Sequence, residues 1–499
     1  MSDLVRGEEL GVRCGAALDF IAQAGAQRLI ADSRRIQPGD AFAAYPGDEA
    51  DGRDFIPQAI AAGANAVLWD SDGFSWNDDW KVPGLGIAGL RQAIGEIASR
   101  VCGDPSKLLW TVGVTGTNGK TSCAHWIARC LAEAGRKTAL IGTLGNGFPN
   151  ELSSTANTTP DAVTLHNLLR HYQEQGASAV AMEVSSHGLH QGRVNGVHFD
   201  VALLTNLSRD HLDYHGDMAS YAAAKATLFD WPGLEYAVLN LDDPFGVELA
   251  GKLGCSGVKV VGYGFEGEAK GCHMRIKGRA LGMDENGLRF EVATPWGKAA
   301  ISSAMLGRFN ASNLLGTLAV LLVSGIPLEA AVAALAQVKA VAGRVQQLGG
   351  AGKPLVVVDY AHTPDALEKV LQTLREIKSA QASLICVFGC GGNRDKGKRP
   401  LMGAAASRLA DSAIVTSDNP RNEDPRTILA EITSAMEANF HIEEDRAAAI
   451  DRAIRQARPG DIVLIAGKGH EDYQEIKGVK LPFNDAEVAQ RALHEYRPC

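Results

Sequence analysis

The strongest chemical signal in this chain is the glycine-rich segment Gly113-Val-Thr-Gly-Thr-Asn-Gly-Lys-Thr121, between the apolar run 108–112 and a predicted helix over residues 122–134. Glycines let backbone N–H groups approach a polyphosphate, and a helix N-terminus adds partial positive charge. Lys120 adds a full charge, and Thr121 offers a hydroxyl oxygen of the kind that binds Mg²⁺. The segment therefore predicts a nucleoside triphosphate site, with a surface turn as the alternative. The expected contact residues are Gly116, Thr117, Asn118, Gly119, Lys120, Thr121 and Ser122.

This segment departs from the usual phosphate-loop spacing. Val114 stands where the first glycine is expected, and Gly113 lies one residue earlier.

A second group of charged and small residues follows four predicted strands in the last third of the chain. These strands, at 355–359, 384–388, 413–416 and 462–466, alternate with predicted helices. In an open α/β sheet, ligands bind beyond the carboxyl ends of the strands. The segments 359–362, 389–394, 418–421 and 467–471 would therefore meet at one edge. Each alone is most simply a solvated loop, but the four together favour a binding rim.

Composition limits the kinds of partner. The 499 residues carry a net charge of −9, which argues against a broad nucleic-acid surface. The longest apolar stretch, 314–326, is too short and too interrupted by Gly and Ser to span a bilayer, and the N-terminus lacks an apolar signal segment. Nine cysteines without metal-ligand spacing suit reduced thiols. We expect a cytoplasmic monomer that acts on small molecules, with no nucleic-acid or membrane partner.

The alternation of strands and helices predicts an α/β protein of three domains. Residues 1–104 form a small α/β domain. Residues 105–343 form a phosphate-loop domain with a mostly parallel sheet, with strands at 138–144, 179–184, 201–207 and 237–241 and antiparallel pieces between 258 and 303. Residues 344–499 form a Rossmann-like doubly wound domain.

Six dispersed motifs carry a family resemblance. They are Gly116-Thr-Asn-Gly-Lys-Thr121, Glu183-Val-Ser-Ser-His187, Asn206-Leu-Ser-Arg-Asp-His211, Gly307-Arg-Phe-Asn-Ala-Ser-Asn313, Asp359-Tyr-Ala-His-Thr-Pro-Asp365 and Asp418-Asn-Pro-Arg421. These motifs occur in the same order as in the Mur ligase family of peptidoglycan biosynthesis, which the chain therefore resembles. The resemblance implies three domains, which bind a UDP-sugar, ATP and an incoming amino acid. It also implies that ATP phosphorylates the D-glutamyl carboxylate of UDP-MurNAc-L-Ala-D-Glu and that the amine of meso-diaminopimelate then displaces phosphate.

The resemblance also implies roles for single residues. Lys120 would contact the β and γ phosphates, and Thr121 and Glu183 would hold a Mg²⁺. His211 matches a ligand of a second Mg²⁺, and Lys225 matches a carbamylated lysine that also reaches a metal. Taken alone, Glu183 would be a strand-end residue, His211 an ordinary loop residue and Lys225 a solvated helix residue.

The remaining implied contacts fall into three groups. The adenine, ribose and phosphate side includes Asn310, Arg344, Asp359 and His362, with Asn310 alternatively a helix cap. The UDP-sugar dipeptide contacts are Ser33, Asp48, Glu49, Ala50, Asn157, Thr158, Thr159, Ser185, Gln191 and Arg193; Arg193 is alternatively a solvated arginine. The diaminopimelate contacts are Arg394, Asp418, Asn419, Pro420, Arg421, Gly467 and Glu471.

Arg421 is the residue expected to select the amino acid. Meso-diaminopimelate differs from lysine by a second, distal carboxylate, and a guanidinium pairs such a group through two hydrogen bonds. Arg394 is a second candidate, and Glu471 could accept from the distal ammonium. An unpaired, desolvated arginine costs about 3–5 kcal/mol, so lysine would be disfavoured by roughly two to three orders of magnitude or more.

Two other functions remain open from the sequence. A ligase like folylpolyglutamate synthase would share the phosphate loop and the amide-forming chemistry, although the substantial N-terminal domain and Asp418-Asn-Pro-Arg421 make it less favoured. A nucleotide-dependent binding or regulatory protein would use the same loop without forming a bond. Phosphate release that requires both acceptor and amino acid would separate these functions.

Overall fold

The structure is a computed structural model that describes residues 2–48, 50–284, 287–350, 352–437 and 439–497. The chain forms two compact units. The first comprises Met1–Thr115, Leu131–Leu203 and Ala224–Ala237, and the second comprises Gly116–Cys130, Leu204–Ala223 and Val238–Cys499.

The N-terminal part of the first unit is a small parallel sheet with apolar residues packed on both faces. Its elements are α1 (Ser2–Gln23), β1 (Arg28–Ile30), β2 (Asp40–Ala44), α2 (Ile56–Ala61), β3 (Ala66–Asp70), β4 (Gly84–Ile87) and α3 (Leu90–Val101). The strands pair in the order β1-β2-β3-β4, all parallel. Every residue of β2 is buried, as in a strand covered on both faces.

The middle of the chain alternates strands and helices and contributes to both units. Its elements are β5 (Trp110–Thr115), α4 (Lys120–Glu133), β6 (Thr138–Gly142), β7 (Gly145–Phe148), β8 (Glu151–Ser153), α5 (Ala162–Glu174), β9 (Ala179–Glu183), α6 (Ser186–His190), β10 (Val201–Leu204), α7 (Leu212–His215), α8 (Met218–Ala226), β11 (Tyr236–Asn240), α9 (Pro244–Leu253), β12 (Lys259–Gly264), β13 (Met274–Asp284), β14 (Gly287–Thr294), β15 (Gly297–Ser303), α10 (Arg308–Val323) and α11 (Leu328–Ala336).

In the first unit, β9 pairs parallel with both β5 and β6, while β6, β7 and β8 pair antiparallel. In the second unit, β13, β14 and β15 form the predicted antiparallel piece. The pairing of β12 with β13 is parallel, so the antiparallel segment begins one strand later than the sequence indicated.

The C-terminal part of the second unit is a doubly wound sheet. Its elements are β16 (Gln346–Gly349), β17 (Leu355–Asp359), α12 (Pro364–Ile377), β18 (Leu384–Phe388), α13 (Lys398–Leu409), β19 (Ser412–Val415), α14 (Pro425–Thr433), β20 (Phe440–Ile442), α15 (Arg446–Gln456), β21 (Ile462–Ala466), β22 (Tyr473–Ile476), β23 (Val479–Pro482) and α16 (Asp485–Glu495). The strand order is β16-β17-β21-β18-β19-β20, and only β16 runs antiparallel to its neighbour.

Two apolar clusters cover the faces of this sheet. Residues of α12, α13 and α14 pack on one face, and residues of α15 and α16 pack on the other. Helix α12 shows how the sequence builds one of these layers. The Thr363 hydroxyl accepts from the Ala366 N–H, Pro364 begins the helix, and Leu367, Val370, Leu371 and Leu374 recur at helical spacing on the buried side.

The fold class expected from the sequence, an α/β protein with mostly parallel sheets and a doubly wound C-terminal part, is confirmed. The exact domain boundaries at residues 104 and 343 stay a prediction. Within the described ranges, no helix has both the length and the apolar content to cross a bilayer.

Candidate functional site

The phosphate loop begins at Gly116 rather than at Gly113. Gly113 and Val114 belong to β5, and a Cβ atom on Gly113 would lie 2.9 Å from the Phe199 ring. Gly113 therefore serves strand packing, which explains the unusual spacing. Gly116 and Gly119 both have positive φ angles, 146° and 87°, and a Cβ on Gly116 would lie 1.9 Å from Thr205 Oγ1. The loop thus needs glycine at these positions.

Residues of the segment 205–221 hold the loop in shape from within the second unit. Thr205 Oγ1 and Asn206 Nδ2 both donate to the Asn118 carbonyl, at 2.6 and 2.9 Å. The Thr117 hydroxyl lies 3.1 Å from the Tyr221 hydroxyl. Lys120 Nζ donates to the loop carbonyls of residues 116 and 117, both at 2.9 Å. The ammonium is therefore already placed over the loop that would receive the phosphates.

A cleft in the second unit brings the loop together with more distant predicted nucleotide contacts. Arg344 Nη2 donates to Thr121 Oγ1 at 3.3 Å, and its guanidinium lies 4.4 Å from the centre of the Tyr360 ring. Burial raises the pKa of Asp359, whose carboxylate accepts from the Val345 N–H at 2.8 Å. The residues that line the cleft include Asn118, Gly119, Ser122, Asn206, Phe309, Asn310, Asn313, Arg344, Asp359, Tyr360 and Lys369.

Asn310 is not a helix cap. It lies inside α10, which Gly307 precedes as cap, and its Nδ2 donates to the Leu306 carbonyl at 2.8 Å. The cap interpretation of Asn310 is therefore wrong, and its buried amide belongs to the wall of the cleft.

His211 and His362 meet at a half-buried carboxylate that the sequence did not single out. Asp210 Oδ2 lies 3.4 Å from His211 Nε2 and 3.9 Å from His362 Nε2. Burial alone would raise the pKa of Asp210, but His362, His211 and Lys398 together hold it below its usual value. His211 adopts a positive φ of 54° at the start of α7. The predicted metal ligand thus occupies a strained backbone position beside an anion, a feature common at functional sites.

Glu183 and Lys225 are both buried in the first unit, each with 1% of its surface exposed. Glu183, at the end of β9, accepts from the N–H and the hydroxyl of Thr143, at 2.7 and 3.2 Å. A Cβ on Gly142 would lie 2.3 Å from the Glu183 carboxylate. The solvated-helix interpretation of Lys225 is wrong, because its side chain is inside the protein. Whether it is carbamylated stays a prediction.

Several predicted UDP-sugar contacts form one hydrogen-bonded chain in the first unit. Arg193 donates to Gln191 Oε1 at 2.6 Å and to the Thr159 carbonyl at 2.9 Å, so its solvated interpretation is wrong. Gln191 in turn donates to Asp48, and Arg91 also binds Asp48. The Thr159 hydroxyl accepts from the Ser185 N–H at 3.0 Å.

Other predicted UDP-sugar contacts line a cavity of about 1290 Å³ in the same unit. Ser33, Ala50 and Asn157 belong to its wall, and Ser33 Oγ donates to Gln58 at 3.1 Å. Thr158 does not line this cavity, and its hydroxyl lies 3.0 Å from Thr143 Oγ1. Glu49 lies outside the described residues.

The four strand ends of the C-terminal sheet do meet in a rim. Lys468, which is completely buried, donates to Asn419 Oδ1 at 3.0 Å and to Glu471 Oε2 at 2.9 Å. Asn419 Nδ2 also donates to Glu471 Oε2, at 2.8 Å. A Cβ on Gly467 would lie 2.9 Å from Asp418. A buried ammonium therefore fixes the amide and the carboxylate of two predicted amino-acid contacts.

Arg421 is held on two edges of its guanidinium. Its Nη1 donates to the Gly392 carbonyl at 2.8 Å, and its Nε lies 3.3 Å from Glu475 Oε2. This corrects the assumption that lysine would leave Arg421 unpaired, so the expected discrimination is smaller than two to three orders of magnitude. Arg394 lies on the neighbouring loop with an exposed side chain, and Pro420 is buried beside Arg421.

Sequence reasoning missed Thr143, Asp210, Tyr360, Lys468 and Glu475. Asp210 and Tyr360 lie inside motifs that carried the family resemblance, and Lys468 lies in the strand-end segment 467–471, so adjacency could have found all three. Thr143 and Glu475 stand in no recognisable pattern. No cluster of three or more His, Cys, Asp or Glu side chains suitable for a metal occurs in the part of the chain that the structure describes.

The fold and the phosphate loop define a nucleotide-binding α/β protein. Sequence models described as Mur ligase family, catalytic domain, as Mur ligase middle domain and as Mur ligase, glutamate ligase domain match residues 27–101, 114–321 and 343–469. The chain belongs to the Mur ligase family.

Three known proteins illustrate its similarity. A UDP-N-acetylmuramoyl-L-alanyl-D-glutamate--2,6-diaminopimelate ligase from Chromobacterium violaceum is 54% identical over 469 residues, which cover 94% of each chain. A solved structure of an enzyme of the same name is 38% identical, with a TM-score of 0.67 over 94% of this chain and 95% of that one. A Mycobacterium tuberculosis folylpolyglutamate synthase complexed with ADP and AMPPCP has a TM-score of 0.62 at 20% identity, covering 81% of this chain and 95% of that one. The last likeness shows the fold alone.

Proposed function

We propose that this protein is an ATP-dependent ligase that joins meso-2,6-diaminopimelate to the D-glutamyl carboxylate of UDP-N-acetylmuramoyl-L-alanyl-D-glutamate. The products are ADP, phosphate and the UDP-MurNAc-tripeptide of peptidoglycan synthesis. Two relatives, 54% and 38% identical to this chain and each covering 94% of it, are named UDP-N-acetylmuramoyl-L-alanyl-D-glutamate--2,6-diaminopimelate ligase. The observation that carries the amino-acid assignment is the guanidinium of Arg421, fixed at the rim beside Asn419 and Glu471.

The chemistry requires activation because the oxide of a carboxylate cannot leave. A carboxylate oxygen attacks the γ phosphorus of ATP, ADP departs, and an acyl phosphate forms. The amine nitrogen then attacks the carbonyl carbon, the bond to the phosphate oxygen breaks, and the amine loses a proton. Phosphoryl transfer depends mainly on positioning and charge neutralisation. The glycine backbone and Lys120, whose Nζ already lies over the loop, supply both.

Two of the predicted metal ligands carry donor atoms of the kind that Mg²⁺ prefers. Thr121, in the second unit, would offer a hydroxyl oxygen, and Glu183, in the first unit, would offer a carboxylate oxygen. When bound, Mg²⁺ supplies charge neutralisation to the phosphates. His211 is the proposed ligand of a second Mg²⁺, and a carbamylated Lys225 is proposed to reach a metal.

The UDP-sugar dipeptide is proposed to bind in the first unit. The cavity of about 1290 Å³, lined by Ser33, Ala50 and Asn157, has room for a sugar nucleotide. The chain from Arg193 through Gln191 to Asp48 fixes polar groups that would orient the ligand. We therefore expect that Ser33→Ala, a change at this cavity, leaves the affinity of the protein for nucleotide unchanged.

Carbamylation of Lys225 would join its Nζ to the carbon of CO₂ with release of a proton, which converts the amine to a carboxylate-like group. Its burial in α8 supports this proposal, because burial disfavours the charged ammonium and so favours the neutral amine that reacts with CO₂. Intact-mass measurement should show the mass of one added CO₂. An active enzyme with an unmodified Lys225 would remove the idea.

A phosphate-release assay tests the proposed function directly. Purified protein with ATP, Mg²⁺ and the UDP-sugar dipeptide should release phosphate when meso-diaminopimelate is added, and about ten- to a hundredfold more slowly with L-lysine, since Arg421 is only partly paired within the protein. Arg421→Ala should lose the preference while ADP binding survives. Phosphate release that needs no acceptor would contradict the proposal.

A further inference from the structure

Glu475 is an acidic side chain that lies against the guanidinium expected to select the substrate. Its Oε2 lies 3.3 Å from Arg421 Nε. The backbones are also joined, because the Arg421 N–H donates to the Glu475 carbonyl at 3.0 Å and the Lys477 N–H donates to the Arg421 carbonyl at 2.7 Å. The hairpin β22–β23 therefore presents Glu475 to Arg421 in a fixed register.

The two side chains are only partly shielded from solvent. Arg421 is 20% exposed and Glu475 is 24% exposed. The other edge of the guanidinium donates to the Gly392 carbonyl, so Arg421 cannot turn away from Glu475 without losing a 2.8 Å hydrogen bond. Arg421 also has a positive φ of 52°, a costly conformation that the backbone bonds to the hairpin maintain. The protein itself thus supplies a carboxylate to the cation.

We propose that Glu475 is a specificity-determining residue that sets how strongly the enzyme prefers a substrate with a distal carboxylate. This inference rests on the proposed pairing of that carboxylate with Arg421. The carboxylate of Glu475 repels the distal carboxylate of an incoming amino acid. When the amino acid has no distal carboxylate, Glu475 still pairs with the positive charge of Arg421. Both effects reduce the advantage of meso-diaminopimelate over L-lysine.

The test removes the charge and keeps the shape. In Glu475→Gln, the KM for meso-diaminopimelate should fall and the ratio of kcat/KM values for meso-diaminopimelate and L-lysine should rise about two- to fivefold, as expected for one partly exposed ion pair. Glu475→Ala should shift the ratio in the same direction. Glu368→Gln is the matched control, because it removes a carboxylate from the exposed pair with Arg408, at 2.8 Å on the helices α12 and α13.

A double-variant cycle separates this inference from the proposed function. In the Arg421→Ala background, Glu475→Gln should raise the ratio less than it does in the parent protein, because only the direct repulsion of the distal carboxylate is then removed. If Arg421→Ala lowers the ratio but neither Glu475 variant alters it, the proposed role of Glu475 is overturned, while the proposed role of Arg421 stands. A higher KM for both amino acids would mean that Glu475 binds an amine and would also overturn it. If Arg421→Ala itself leaves the ratio unaltered, the assignment of Arg421 fails and this inference fails with it.

Discussion

His125 and His470 are half-buried and lie close enough to Arg344 for its charge to act on both rings. His125 Nε2 and His470 Nδ1 have no hydrogen-bond partner among the described residues. Burial, together with the charge of Arg344, lowers the pKa of both rings from 6.5 to about 4. Both histidines are therefore neutral at pH 7, which leaves the positive charge beside the phosphate loop to Arg344 and Lys120.

These two pKa values predict acid sensitivity. Between pH 6.5 and 4 the unfolded chain binds protons that the folded protein excludes, so the free energy of unfolding is largest above pH 6.5 and falls as the pH approaches 4. Each ring accounts for about 2–3 kcal/mol across that interval. Urea unfolding at several pH values gives the free energy of unfolding as a function of pH. The slope of this dependence should be smaller for His125→Gln and for His470→Gln than for the unsubstituted protein. The exposed His494→Gln is the control, and an equal slope in all four proteins would contradict the assignment.

Gly142 gives a second prediction about a single position. A Cβ there would lie 2.3 Å from the Glu183 carboxylate, which must then move away from Thr143. We expect Gly142→Ala to lower kcat about 10- to 100-fold, since a small displacement of the proposed metal ligand Glu183 would have an effect of this order. The KM for diaminopimelate should not change, because its proposed contacts at 418–421 belong to the other unit. Gly251→Ala, where no atom lies within 4 Å of the added Cβ, should keep full activity.

Two loops that follow β18 and β19 are held together by a buried arginine of α13. Arg399 has no exposed surface and binds Glu423 through both Nη atoms, at 3.0 and 2.9 Å, and it also binds Glu431. Its Nη2 donates to the Gly391 carbonyl at 3.2 Å. The hydrogen bonds from Arg399 lower the pKa of Glu423 to about 2. Arg399 thus holds the loops that carry Arg394 and Arg421 in place through these hydrogen bonds.

Arg399→Met should therefore loosen this edge of the sheet. The change removes the charged hydrogen bonds to Glu423, whose side chain is 15% exposed, and should cost about 1–3 kcal/mol in the free energy of unfolding. We also expect a higher KM for diaminopimelate with little change in the KM for ATP, measured by phosphate release. Arg408→Met, which breaks the exposed pair on the same helix, is the control. Equal increases in both KM values would indicate a general loss of folding instead.

The rim illustrates what the sequence could predict. The apolar runs that became β17, β18 and β21 are bounded by glycine or charged residues, so their carboxyl ends, and hence the segments that meet there, were readable from local pattern. The contacts between those segments were not. Lys468 and Glu475 act through tertiary contacts to Asn419 and Arg421, over 49 to 56 positions of sequence, and no periodicity encodes such a pairing.

The same limit applied to the phosphate loop. Its glycines were recognised from spacing, but Gly113 proved to be a packing residue against Phe199, a contact that depends on how β5 lies against its neighbours. For Asn310, the local motif fitted a helix cap as well as a binding residue, and only the observed start of α10 after Gly307 decided between them. Motifs therefore located the site, while tertiary packing assigned the role of individual side chains.

The proposed ligand contacts divide between the two compact units, and this division predicts where each ligand protects the backbone. The UDP-sugar contacts, including Ser33, Asn157 and Arg193, lie in the first unit, whereas the phosphate loop and the rim at Asp418–Arg421 lie in the second. A bound ligand slows amide exchange by disfavouring local opening of the segments that it contacts. The two ligand classes should therefore give separable protection patterns.

Hydrogen exchange followed by mass spectrometry checks this expectation in the full chain. The UDP-sugar dipeptide alone should slow exchange in peptides that cover 31–58 and 146–175, the walls of the large cavity. ADP with Mg²⁺ should instead slow exchange in peptides covering 116–122, 308–313 and 359–361, which contribute to the nucleotide cleft. Adenosine, which lacks phosphates, is the control for the loop and should protect 116–122 less than ADP does. Protection of residues 31–58 by ADP but not by the UDP-sugar would show that the two sites have been assigned to the wrong units.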